Sequence, residues 1–543
     1  MGEEVKPRDL VRKLYDCPNV EHLSDEEAKS RSSVFGQRTE FGSLNFVSSV
    51  RNRSAGVTVY LGGKEVRQAS VSPRQRQIIE KAPETIAKVA RYLDRVPIVS
   101  IRRTMGNNPD FNPHCTLFIS RYAGYPVQIA YMWGETLMAY RPKAPGPELS
   151  LIYVPEWPEH ERQILVFPEE NVTFALGSDY MGESKKGFLR MAMWHAKLEG
   201  MLGVHAGSKV VVARDPEGKP RRYAKLLFGL SATGKTTHSC HDHGLDQPGE
   251  RVEIVQDDVC FLRSDGSALG TERGFYLKTE GLHPVTQPLL YRAATQPRTV
   301  FENVMVDYQG HIDFDDETLT SNGRGVVQMS DLAPRASSSI NLPPVSELDG
   351  LILIFITRRN TILPICSKLN PEQAALAFML GESVESSAGD PTKAGESVRV
   401  VGTNPFIVGD EAKEGVWFYD FIKRHEQKVQ AYLINTGGVG EVRERLPSGS
   451  WRTTRPVARV QILETASVFR SILRNTIKWR DCRYFGVQVP AQLDGFDISK
   501  YDPEKYYSHT ELQRLSQELK RERHEYIEQF GSLDRAIVAA TGI

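Results

Sequence analysis

Between Val57 and Phe167 the apolar residues come in short runs separated by turn signals: VTVYLGG, PIVSI, CTLFIS, VQIAYMW, SLIYV and RQILVF. Runs of this length, rich in β-branched and aromatic residues, predict strands of a β-rich α/β region. The period then changes. Phe188, Met191, Trp194, Leu198 and Leu202 recur at helical spacing and predict one helix over 183–202. Past Gly203 the runs KVVVA, AKLLF, VEIVQ and LILIF are apolar at consecutive positions, as in strands covered on both faces. Residues 1–45 are polar and mixed in charge and predict a peripheral helix and loop. Near the other end, Leu512, Leu515 and Leu519 mark one face of a helix over 508–530, and the run LKRERHE is its solvated face. The segment 381–400, rich in Gly and Ser, is long for a plain connector and reads as a mobile lid. No internal repeat is visible. The pattern predicts an α/β fold with an N-terminal α/β domain over 1–202 and a second domain over 203–543.

A chain of 543 residues is long enough for two or three domains. Lys plus Arg and Asp plus Glu both number 68, so the formal net charge is zero. A balanced chain gives no global electrostatic case for nucleic acid or an anionic membrane. The strongest apolar run, Leu351 to Ile356, is far short of the ~20 residues of a membrane span. The start MGEEVKPRDL has no apolar h-region, so no secretory signal is expected. Six cysteines without pairing-like spacing predict reduced thiols and a cytoplasmic location. Monomer and small homo-oligomer both remain open.

Residues 224–237, AKLLFGLSATGKTT, change this picture. Gly229, followed by Gly234-Lys235-Thr236, fits G-x-x-x-x-G-K-[ST] directly after an apolar strand. In such a phosphate loop the backbone amides from Gly229 through Leu230, Ser231, Ala232 and Thr233 to Thr237 curl around phosphates. Glycine is needed where φ is positive. Lys235 brings a mobile charge to the β and γ oxygens, and the Thr236 hydroxyl ligates the accompanying cation. Asp257-Asp258, at the end of the strand VEIVQ, stands where such enzymes keep a metal carboxylate. His238, His241 and His243 follow the loop, too crowded in sequence to surround one zinc ion, and read as surface-helix or turn residues.

These residues resemble the ATP-dependent phosphoenolpyruvate carboxykinases. FGLSATGKTT is similar to that family's kinase loop, with Ala232 where the family usually has Gly. DYMGESKKG (179–187) resembles its Y-G-G-E-x-K-K-G segment, TERGFYLKT (271–279) its E-G-G-C-Y-A-K-T, and ENVMVDYQGHIDFDDETLTSNGR (302–324) its E-N-V…I-D-F-D-D…N-T-R stretch. The resemblance implies an N-terminal α/β domain, a C-terminal P-loop domain and an active site in the cleft between them. The reaction implied is oxaloacetate plus ATP giving phosphoenolpyruvate, ADP and CO2, as in gluconeogenesis, with Mg2+ and Mn2+ as cofactors. Lys186, His205 and Asp258 match the family's metal-holding lysine, histidine and aspartate, with Lys185 alongside; Thr236 rides with the nucleotide metal. Ser231 and Arg324 fall where phosphates and substrate are gripped, and Tyr180 beside the substrate and CO2. Arg459 and Thr465, in ARVQILET, match nucleotide contacts.

Four departures accompany the match. The family's T-G-R-S-P-K-D segment, which carries the arginine that grips the substrate carboxylate, has its nearest counterpart in VRNRSA, with Arg53 as the candidate. Val259 and Cys260 replace an acidic residue and a His after the Asp pair, and Gln287 replaces a Glu. SVESSAGD replaces the lid segment T-A-K-x-A-G-T-E. Three readings follow: a divergent carboxykinase, a P-loop kinase acting on another small carboxylate, and a non-catalytic ATP-binding paralogue.

Overall fold

In the computed structural model, which describes residues 5–68, 70–230, 233–384, 397–446 and 451–542, the chain is mixed α/β and passes repeatedly between two units. The first comprises 1–203, 269–334 and 406–410; the second comprises 204–268, 335–405 and 411–543.

The first unit is built on a mixed sheet whose strands run in the order Val20–His22, Ile98–Thr104, His114–Ser120, Glu148–Val154, Val172–Leu176, Gln163–Phe167 and Thr58–Tyr60. Side chains alternate between its faces, and both faces are covered. On one, Ile98, Phe118, Ile152 and Phe174 pack with Leu10, Leu14, Ile86, Val89 and Leu93 of the helices Pro7–Asp16 and Pro73–Leu93. On the other, the helix Met181–Leu198 lies so close that a β-carbon on Gly187 would stand 2.5 Å from Leu151. A second sheet, ordered Gly274–Lys278, Arg324–Gln328, Val300–Glu302, Leu44–Phe46 and Gln37–Arg38, brings Tyr276, Arg324 and Glu302 onto three neighbouring strands.

Two expectations about local structure are corrected here. VQIAYMW is not a strand but the helix Val127–Gly134, every residue of which is buried. A short continuous apolar run has no period that separates the two, and this one packs on other helices, with Trp133 stacked on Phe188 at 4.7 Å. The helix predicted to 202 stops at Leu198, whose side chain is exposed, because Gly200 turns left-handed (φ 78°) and Leu202 begins a strand.

The sheet of the second unit runs Arg251–Gln256, Ala206–Arg214, Pro220–Gly229, Gly350–Thr357, Val429–Asn435, Cys366–Leu369, Gln488–Gln492 and Lys478–Asp481. At its centre Gly350–Thr357, buried throughout, lies parallel to both neighbours, as its unbroken LILIF run predicts. The strand Pro220–Gly229 ends at the phosphate loop, and the helix Lys235–Cys240 follows. No described helix is long and apolar enough to cross a membrane.

Below that helix lies a buried cluster of basic groups. Lys209 and Lys225 face each other across neighbouring strands, both fully buried. Lys209 Nζ donates to the carbonyls of His238 (2.6 Å) and His241 (2.9 Å) and meets His243 Nε2 at 2.8 Å. Lys225 Nζ meets the same His243 nitrogen at 3.3 Å and stands over the Phe469 ring. His238 and His243 are therefore interior residues, not the surface residues expected. Among the described residues neither lysine is hydrogen-bonded to a carboxylate, so burial drives Lys225 far below an ordinary lysine pKa and Lys209 down to about 7.

A group deprotonated by folding stabilises less as pH falls from its unfolded pKa. Lys225→Met, similar in length but without the charge, is therefore expected to raise the unfolding free energy at pH 7 by about 1–4 kcal/mol. The gain should shrink by pH 10, and denaturant melts at the two pH values check both statements.

Candidate active site

Gly229 closes its strand at a point where a β-carbon would lie 2.6 Å from Thr233 Oγ1. The loop turns on the left-handed Gly234 (φ 96°), and Thr233 is held from both sides: its hydroxyl donates to the Leu230 carbonyl (2.7 Å), and its own carbonyl accepts from Thr436 (2.8 Å). Lys235, Thr236 and Thr237 open the helix that follows. Thr236 donates its hydroxyl to Asp257 Oδ2 at 3.0 Å, which is the pairing of hydroxyl and carboxylate that holds the cation of a bound nucleotide in P-loop enzymes. Ser231 and Ala232 lie outside the described residues.

His205 enters one strand away. Its Nδ1 is 2.6 Å from the Thr403 carbonyl, which can only accept, so this nitrogen carries the ring proton. In the neutral ring the lone pair then sits on Nε2, and Nε2 faces Asp258 Oδ1 at 2.9 Å and Lys235 Nζ at 2.9 Å. Nε2 meets the carboxylate either by carrying a second proton or as a lone pair with a cation beside it, and here Lys235 Nζ is also 3.8 Å from Asp258. An imidazole oriented through its far N–H to a carbonyl is how histidine ligands of metals are held. Thr403 also accepts the amide of Gly229 on its hydroxyl, at 3.1 Å. Phosphate loop and histidine are thus fastened to one residue.

The other candidates belong to the first unit. Lys186 and Arg53 both stand over the Phe406 ring, 4.8 and 4.6 Å from its centroid. Burial lowers the Arg53 pKa, and Glu183 opposes the shift. Glu183 itself accepts the Ser54 amide, fastening the Arg53 loop to the Lys185-Lys186 helix. Lys185 is buried and paired with Glu272 at 2.6 Å. Tyr180 accepts from Tyr276 (3.1 Å) and Asn322 (3.2 Å), and Asn322 accepts from Arg324 at 2.6 Å. Behind this network, Glu302 accepts the Met181 amide (2.9 Å) and shares a hydrogen bond of 2.9 Å with the Tyr276 hydroxyl. Burial nevertheless raises its pKa to about 7.

His205, Asp258, Lys235 and Thr236 are thus brought together in the second unit, and Tyr180 and Arg324 in the first, where Arg53 and Lys186 share a ring. Arg459 pairs with Gly438, two residues from the Thr436 that holds the loop. Thr465 is buried in the helix Ile462–Leu473, its hydroxyl bonded to the Gln461 carbonyl. Of the segment 381–400, residues 385–396 lie outside the described residues. Sequence reasoning missed Thr403, Glu302 and Asn322. The last two sit inside quoted stretches, but Thr403 lies in VVGTNPF, where nothing marks it.

A family model described as phosphoenolpyruvate carboxykinase matches residues 12–499. The chain belongs to the ATP-dependent phosphoenolpyruvate carboxykinase family. It is similar to the phosphoenolpyruvate carboxykinase (ATP) of Aeropyrum pernix, 34% identical over 373 residues that cover 68% of this chain and 70% of that one. The proteins of the same name from Bacillus mycoides and Novosphingobium aromaticivorans are each 27% identical. The first covers 70% of this chain and 67% of its own length, the second 71% and 68%.

Glu302 gives this site a pH signature. Its folded pKa is raised from 4.5 to about 7, so between these values the folded state keeps a proton that the unfolded chain releases. Stability contributed by this residue therefore falls as pH rises from 4.5 to 7, by about 3 kcal/mol at about 1.4 kcal/mol per unit. Glu302→Gln removes that dependence. Relative to the variant, the wild type is expected to lose stability between pH 5 and pH 8; a gap that stays constant across urea melts would refute the raised pKa.

Proposed function

We propose that this chain converts oxaloacetate and ATP to phosphoenolpyruvate, ADP and CO2, as an ATP-dependent phosphoenolpyruvate carboxykinase acting in gluconeogenesis in the cytoplasm. The reading assigns the nucleotide to a C-terminal P-loop domain over 203–543 and oxaloacetate to an N-terminal α/β domain over 1–202, both serving one phosphoryl group. The observation that carries it is the His205–Asp258–Lys235 cluster at the mouth of the phosphate loop, with Nδ1 of His205 engaged by the Thr403 carbonyl and Nε2 turned to Asp258 and Lys235.

A neutral imidazole and a carboxylate suit a divalent ion such as Mn2+. Lys186, His205 and Asp258 would hold it, and Thr236 with Asp257 would hold the Mg2+ of the nucleotide. When bound, the two ions neutralise charge that builds up on the enolate and on the transferring phosphoryl group. Every other role falls to the chain. Lys235 and the amides of 229–237 grip the phosphates. Arg324, oriented by Asn322, reaches both phosphoryl group and substrate, and Tyr180 borders the substrate. Arg53 takes the substrate carboxylate. Arg459 and Thr465 contact the nucleoside. No general base is required, because loss of CO2 itself produces the nucleophile, so positioning and charge stabilisation supply the catalysis.

The direct test is a coupled assay for phosphoenolpyruvate from oxaloacetate, ATP and Mn2+; ATP stabilisation without turnover would sink the proposal. Lys235→Ala is expected to lower kcat at least about a hundredfold with an unchanged melting temperature. His205→Ala is expected to weaken Mn2+ binding at least about tenfold by titration, and an unchanged affinity would remove this residue from the site.

A further inference from the structure

The family match ends at residue 499, yet the chain continues into the helices His509–Glu528 and Arg535–Ala539. The first begins with a capping box, Ser508 with Glu511, and buries Leu512, Ser516, Leu519 and Ile527. From it Arg523 reaches Glu382, a carboxylate whose side chain is 4% exposed, through Nη2 and, at 3.2 Å, through Nε. Arg359 meets the same carboxylate at 3.3 Å and Arg399 at 3.9 Å, and Arg399 is further held by Glu522 of the C-terminal helix at 3.1 Å. Burial alone would raise the Glu382 pKa; the arginines, Arg523 foremost, outweigh it and hold it at about 2. Three guanidinium groups around one buried carboxylate fix its place far more strictly than an exposed ion pair does.

What Glu382 fixes is next to the site. It follows Gly381, the left-handed residue (φ 44°) that ends the helix Pro371–Leu380. A β-carbon on Gly381 would lie 1.7 Å from the Val400 carbonyl oxygen and 2.9 Å from the Thr403 amide, so the backbone of 400–403 rests directly on it. Glu382 and Arg399 are paired across two short strands. Thr403 itself holds φ at +52°, a conformation that a β-branched residue leaves unless its surroundings prevent it. This is the residue that orients His205 and receives the Gly229 amide.

We propose that Arg523 and Glu382 are positioning residues: the C-terminal helix, beyond the family's matched length, holds Thr403 in its left-handed conformation and through it aligns His205 and the start of the phosphate loop. The proposal rests on the assignment of His205 and Gly229 to the cation and phosphate site.

Two measurements on the full-length Arg523→Ala variant test it. Hydrogen exchange without ligand reads the positioning itself. Amides in 226–230 and 401–405 are expected to exchange about tenfold faster or more, while Arg514→Ala, which removes the exposed Arg514–Glu518 pair of the same helix, leaves both segments as in the wild type. Mn2+ titration reads the consequence: affinity should fall about tenfold in Arg523→Ala and recover in part in Arg523→Lys. A lowered melting temperature with unchanged exchange in both segments and unchanged Mn2+ affinity would make the helix merely structural and overturn the proposal. Should Arg523→Ala not fold, Arg523→Gln carries the same comparison, and wild-type exchange in it overturns the proposal. Absence of Mn2+ binding by the wild type would instead refute the cation site, leaving the exchange result to decide the role of Arg523.

Discussion

The contact on which the site depends is the hydrogen bond from His205 Nδ1 to the Thr403 carbonyl. A carbonyl oxygen cannot donate, so this one bond decides where the ring proton resides and leaves Nε2 able to bind a cation. It also ties two segments separated by about two hundred residues, since the same Thr403 receives the Gly229 amide. The loop that follows the strand Pro220–Gly229 and the histidine that faces Asp258 cannot shift independently of one another. Tolerance in phosphoryl transfer is small, because its catalysis is nearly all alignment and charge. A shared anchor is a direct way to supply that alignment, here from one carbonyl and one hydroxyl of Thr403.

The chain handles buried charge in different ways at different depths. Glu382 is given three arginines and stays ionised. Lys185 is given Glu272 and is compensated. Lys209 and Lys225 receive neutral acceptors and an aromatic ring, and lower their pKa instead. Glu302 raises its pKa. Glu382 and Lys185 keep their charge because groups of opposite charge meet them. The pair at the sheet interior, beneath the loop helix, is the one for which an apolar substitute is physically equivalent or better.

Much of this was legible in the residues. Glycine spacing, lysine and threonine in GLSATGKTT identify the loop because its geometry tolerates few alternatives, and the unbroken LILIF run marks the central strand. The helix Val127–Gly134 was not legible, since an all-buried helix and an all-buried strand have the same composition. The burial of His238 and His243 was hidden too: polarity suggests the surface, and only the structure shows the His243 ring meeting the two lysines and the His238 ring packed against Phe469. Thr403 could not be found from sequence at all. Its role lies in a carbonyl, a hydroxyl and a positive φ that threonine ordinarily avoids, and none of these marks one threonine among others in a sequence.

Glu302 shows why a carboxylate can stand behind a site meant for anions. An ionised carboxylate near Arg324 would compete with any anion for the same guanidinium. Burial resolves the conflict by keeping Glu302 protonated up to about pH 7. As an acid it still organises Tyr276 and the Met181 amide, and through Tyr276 it sets the position of Tyr180. Should it ionise at higher pH, the Tyr276 hydroxyl would be drawn toward it as a donor, at the expense of the bond it gives to Tyr180. The hydrogen-bond order of Tyr276 and Tyr180 and the charge of Glu302 are therefore coupled through a single proton.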